Sequence, residues 1–211
     1  MTACIQGVDG VLVHAEADLS NGIPQFAIVG LPDSAVREAA ERVRAALRNS
    51  GYEFPLRRIT VNLAPADVRK EGASFDLAIA ACLLLASGQW PPDLARGTLF
   101  VGELGLLGDV RAVPGVLAMA LAARDAGLDR IVVPFENAQE AMLAGGIRVV
   151  PARSLADVPA ALASGGLEAS GLSRLPAPGS GGVGAPAEGA SAGADAGAPP
   201  APAIGPRLAL S

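Results

Sequence analysis

Residues 25–51 read QFAIVGLPDSAVREAAERVRAALRNSG, and this stretch decides the fold class. Its first five residues are β-type and stop at Gly30-Leu31-Pro32, a turn signal. A helix is then expected over 34–49. Asp33 or Ser34 can cap its start, and Gly51 sits just past its end. Val36, Ala39, Ala40, Val43, Ala46 and Leu47 recur at spacings of three and four, so one face of that helix is buried.

The same alternation extends outward. Upstream, 2–6 and 11–18 read as two strands joined through Asp9-Gly10, a hairpin signal. Downstream, 58–63 is a strand with Ile59, Val61 and Leu63 alternating. A helix over 75–86, capped by Ser74, is apolar nearly all round and should be the central buried helix. Strands follow at 99–101, 109–112, 130–133 and 148–150. Helices are expected from Pro114 to 125, over 138–143 and over 155–163. Trp90-Pro91-Pro92 reads as a surface turn, in which an exposed Trp90 could equally be an interface anchor. Strands and helices in alternation imply an α/β (layered α+β) domain, and the opening run of strands implies a mixed sheet.

The composition closes off several chemistries. Of 211 residues, 16 are Lys or Arg and 21 are Asp or Glu, giving a net charge of −5. Bulk charge therefore does not mark a polyanion binder, although a local basic face remains open. Lys70 is the sole lysine, and Glu71 follows it, so the Gly-Lys-Ser/Thr step of a P-loop is missing. One histidine, His14, and two distant cysteines, Cys4 and Cys82, cannot build the usual zinc motifs, so no metal site is expected. Unpaired cysteines, no secretory signal and no apolar run long enough to span a bilayer give the expectation of a cytoplasmic protein with no membrane partner.

Residues 168–211 hold 9 Gly and 7 Pro in 44 positions. Such a segment has almost nothing large to bury, so it reads as a disordered Gly/Ala/Pro-rich linker after a folded domain at 1–167.

Several blocks carry a family resemblance. They are Ile28-Val29-Gly30-Leu31-Pro32-Asp33, Arg42-Val43-Arg44-Ala45-Ala46-Leu47, the run 58–66, Lys70-Glu71-Gly72, Phe75-Asp76-Leu77 and Val101-Gly102-Glu103-Leu104. Together they resemble the N-terminal domain of the ComM/YifB family, the Mg-chelatase-like AAA+ ATPases. The resemblance implies a fold like domain 2 of ribosomal protein S5, shared with the proteolytic domain of Lon and the C-terminal domain of RadA. It also implies a non-catalytic accessory domain for a hexameric, ATP-driven helicase that promotes DNA branch migration in natural transformation. ATP and Mg belong to the AAA+ module, which is not in this sequence. The expected partner is that module, joined beyond Ser211 or acting in trans on a stand-alone regulator, with DNA as a partner of the full hexamer.

The rival function is a Lon-like serine peptidase, in which a lysine takes the proton of a nucleophilic serine. By the resemblance Ser74 falls on the nucleophile and Met119 on the lysine position, and a thioether cannot accept a proton. Lys70, across a glycine turn from Ser74, is a poor substitute. No catalytic, cofactor-binding or metal residue is assigned. Nucleic-acid contact is the remaining candidate, through Arg37, Arg44 and Arg48 on the first helix. Arginine forks suit phosphate oxygens, but Arg37–Glu41 and Glu38–Arg42 are spaced for local pairing and no aromatic residues interleave.

Overall fold

The computed structural model describes residues 1–165. Strands β1 (Thr2–Gln6) and β2 (Asp9–Ser20) form an antiparallel hairpin. Its turn lies at Gly7–Val8 rather than at Asp9-Gly10, which already pair with Gln6 and Ile5. Gly7 takes the left-handed φ of +66° that the reversal needs. Strand β3 (Gln25–Val29) leads into helix α1 (Ser34–Asn49), which returns the chain to β4 (Arg58–Ala64), parallel to β3 and antiparallel to β2. The resulting four-stranded mixed sheet has the order β1-β2-β4-β3.

Asp33 caps α1, its Oδ1 accepting from the Val36 amide at 2.8 Å. Val36, Ala39, Val43, Ala46 and Leu47 are buried, the face expected from their spacing. Helix α2 (Asp76–Ala86) is the central buried helix, with eight of its eleven residues inside. Ser74 does not cap it. The N-cap is Phe75, and the Leu77 amide is satisfied by the carbonyl of Gly102 at 3.1 Å. A tertiary acceptor has taken the place of the local one.

The rest of the domain is a second, parallel sheet. Strands β5 (Thr98–Phe100), β8 (Arg130–Pro134) and β9 (Arg148–Ala152) lie in the order β5-β8-β9. Between β5 and β8 run a two-stranded ribbon, β6 (Glu103–Leu104) with β7 (Val110–Arg111), and helix α3 (Val116–Asp125). Helix α4 (Ala138–Met142) links β8 to β9, and α5 (Val158–Ala163) follows. Helix α3 starts two residues after Pro114 because Gly115, at φ +78°, stands outside it as N-cap.

Both faces of the parallel sheet are covered. Val132 and Val150 join the core built on α1, α2 and β4, while Ile131, Val133 and Val149 join a second core with α3 and α4. Two-sided burial explains why β8 reads as an unbroken apolar run. Trp90 is not a surface residue. It is 2% exposed, and its indole N–H donates to the Tyr52 hydroxyl at 3.1 Å. The expected disordered linker at 168–211 lies outside the described residues. Among the described residues no helix is long and apolar enough to cross a membrane.

Candidate functional site

β2 passes so close to α3 that a Cβ on Gly10 would lie 2.3 Å from the Ala118 carbonyl oxygen. This approach places Met119 beside the loop that precedes α2. A cavity of about 260 Å³ opens there, lined among others by Ser74, Met119, Glu71, Glu103, Ile5 and Val113. The two positions singled out from sequence, 74 and 119, therefore share one cavity. Ser74 is 8% and Met119 2% exposed. The Ser74 carbonyl accepts from the Gly102 amide at 3.0 Å, and its hydroxyl makes no hydrogen bond among the described residues.

No side chain of this lining is hydrogen-bonded to that hydroxyl among the described residues, and its two carboxylates are engaged by arginines. Glu71 pairs with Arg69 at 2.9 Å, and Glu103 with Arg111 at 3.6 Å. His14 is exposed on β2, opposite Ala64, and does not line the cavity. Lys70 is absent from the lining too. It is fully buried, with its amine donating to the Pro65 carbonyl. Its main chain is locked to the turn before α1: the Lys70 amide donates to Leu31 O at 3.2 Å, and the Asp33 amide to Lys70 O at 3.0 Å. Burial pushes the Lys70 amine down from its ordinary range, and the charges of Cys4 and Asp67 oppose this only in part.

One wall is fixed by a buried ion pair that the sequence did not announce. Arg42 donates to both oxygens of Asp76, Nε to Oδ2 at 2.6 Å and Nη2 to Oδ1 at 2.9 Å. The Leu104 amide donates to the same carboxylate at 3.2 Å, next to Glu103 of the cavity wall. Burial pushes the Asp76 carboxyl up, while the Arg42 fork and the Leu104 amide pull against it. The hydrogen bond to Asp76 raises the Arg42 guanidinium further. Asp76 is thus a tertiary anchor first and a helix-dipole partner second. The i,i+4 spacing pointed to Glu38, which stands at 3.9 Å and is largely exposed.

The arginine candidates divide. Arg44 and Arg48 share a second depression with Arg57, while Arg37 stands exposed and does not line it. Arg44 pairs with Glu41 at 3.6 Å and stacks 5.0 Å from the Phe54 ring centroid. Among the described residues no three His, Cys, Asp or Glu side chains group as a metal site.

Comparison with known proteins adds to this geometry. The family model for subunit ChlI of Mg-chelatase matches residues 15–137. YifB of Salmonella typhimurium, described as uncharacterized, is 48% identical over 139 residues, covering 66% of this chain and 27% of that protein. The competence protein ComM of Haemophilus influenzae is 46% identical over 152 residues, covering 72% and 30%. A more distant match is the Lon protease of Trichlorobacter lovleyi, 25% identical over 163 residues, 72% of this chain and 20% of that one. The chain spans 27–30% of the length of the ComM- and YifB-type relatives it matches.

Proposed function

From membership of the Mg-chelatase subunit ChlI family, to which this chain belongs, we propose that it is a non-catalytic accessory domain of a longer ATPase of the ComM and YifB type. The observation that carries the reading is the shared cavity of Ser74 and Met119. A serine attacks a peptide only when a neighbouring group takes its proton. The position where the resemblance puts the lysine holds a thioether, the single lysine is held away against Pro65, and the two carboxylates of the lining, Glu71 and Glu103, are paired with Arg69 and Arg111. Nor can that lysine reach a nucleotide phosphate, so ATP and Mg fall to an AAA+ module outside this chain. The work served is the ATP-driven DNA branch migration that the resemblance to ComM implies. This domain contributes assembly or substrate gating.

The test is a peptidase assay on the 211-residue chain with an unfolded, fluorescently quenched protein substrate. The expected result is no cleavage above background, and no difference between the wild type and Ser74→Ala. Cleavage that Ser74→Ala abolishes would overturn the proposal in favour of a Lon-like peptidase.

A further inference from the structure

A groove of about 190 Å³ lies where the start of β3, the last turns of α1 and the segment before β4 meet. Gln25, Arg44, Arg48, Phe54, Leu56 and Arg57 form most of its lining. Arg48 and Arg57 are exposed and have no ion pair among the described residues. Arg44 Nε is buried without a hydrogen-bond partner. Leu56 is 74% exposed, and Ile23, just before β3, is 87% exposed. Three guanidinium groups and the bare Leu56 side chain thus share one concave corner, with Ile23 next to it in sequence.

The groove borders the first residue of β3, Gln25, and that strand has an open edge. β3 is an outer strand of the four-stranded sheet, and none of its five residues is buried. The Gln25 amide donates to Arg57 O of the neighbouring segment at 3.4 Å. Alternation along a parallel ladder then turns the amides of Phe26 and Ile28 away from β4, where no partner meets them among the described residues. An unpaired edge is a template for another extended chain.

We propose that this corner docks an extended peptide of a partner protein, in which acidic and apolar residues alternate. The peptide adds as a strand on β3. Alternate side chains of an added strand face opposite sides of the sheet, so its carboxylates turn to the α1 side with Arg44, Arg48 and Arg57, and its apolar residues lie beside Ala27 and the half-exposed Val29 on the other. Charge complementarity selects this occupant. A nucleic acid would use arginines without needing the sheet edge, and the Phe54 ring is already covered by Arg44 and packed 6.0 Å from Phe26, so it offers no stacking platform. A second copy pairing antiparallel through β3 would set the far end of its own β3 against this corner. The carboxylate at the far end of β3, Asp33, is engaged by the Val36 and Gly72 amides.

The test uses the 211-residue chain and a labelled Glu/Val alternating peptide of about eight residues, enough to span a strand of typical length. A Lys/Val peptide and a single-stranded oligodeoxynucleotide serve as comparators. Anisotropy should show binding of the Glu/Val peptide alone. Amide exchange followed by NMR should slow at Phe26 and Ile28 when that peptide is added. Arg48→Glu with Arg57→Glu, both at exposed positions, should weaken binding about a hundredfold. Four results would overturn the proposal: no binding of the Glu/Val peptide, equal binding of the Lys/Val peptide, displacement by the oligonucleotide, or protection of these amides by self-association alone. The exchange measurement on the wild type needs no variant, so it stands if the double variant folds poorly.

Discussion

Replacing Asp76 by alanine tests the anchor between α1, α2 and β6. Asp76 is fully buried, and the Arg42 side chain is 18% exposed. The substitution leaves a guanidinium without its two short acceptors and takes the side-chain acceptor from the Leu104 amide. Removing one partner of a buried ion pair costs about 3–5 kcal/mol. Arg42 keeps its bond to Ala35 O at 2.9 Å and a little water access, which places the expected loss near the low end, about 3 kcal/mol. For a chain of this size each kcal/mol lowers Tm by about 2–4 °C, so the drop should be roughly 6–12 °C. Calorimetry with urea titration reads both quantities. A cycle with Arg42→Met should show strong coupling, and the Arg42→Met, Asp76→Leu pair should be more stable than Asp76→Ala alone, because no lone buried charge remains. A loss under about 1 kcal/mol for Asp76→Ala, or an additive cycle, would refute the reasoning.

Three further outcomes are expected. Gly30→Ala should destabilise by about 3 kcal/mol or more, read by urea unfolding, because its Cβ would lie 2.0 Å from the Leu63 carbonyl oxygen at a φ of +104°. Lys70 has a folded-state pKa below its ordinary 10.5, so the unfolded chain binds the proton more tightly. Stability of the wild type relative to Lys70→Met should therefore rise as pH climbs from the lowered value toward 10.5, and a flat or falling difference would contradict it. Burial raises both the Cys4 and Cys82 thiols, so neither should react with a disulfide reagent at about pH 8 until the chain is unfolded. Rapid stoichiometric labelling of the folded protein would count against that burial.

What the sequence announced, it announced through local patterns. α1 was legible to the residue because its apolar spacing, Asp33 and Gly51 agree. β4 was legible because only alternate residues face the core. The features that were missed depend on partners far along the chain. Trp90 looked like a surface residue beside two prolines, and its partner Tyr52 lies 38 positions away. Ser74 looked like a cap, but the acceptor for the next turn is Gly102. Arg42 was matched to its helical neighbour Glu38, whereas its real partner sits 34 positions on, in α2. For the site, the resemblance pointed to positions 74 and 119, and the fold brings the two into one cavity. Arg57 follows the helix in the same basic run and joins Arg44 and Arg48, whereas nothing in the local pattern separated Arg37 from them.

The first strand carries one more consequence. The Met1 carbonyl accepts from the Phe100 amide at 3.0 Å, and β1 sends Ala3 into one core and Cys4 into the other. A ribosome adding about 5–20 residues per second needs roughly 5–20 s to reach residue 100. Throughout that interval β1 has no β5 to close against, while the hairpin partner beside it already exists. Strand β1 is therefore among the last parts to be sealed, and the nascent chain leaves open to chaperones Thr2, Ala3 and Cys4, which the finished fold buries.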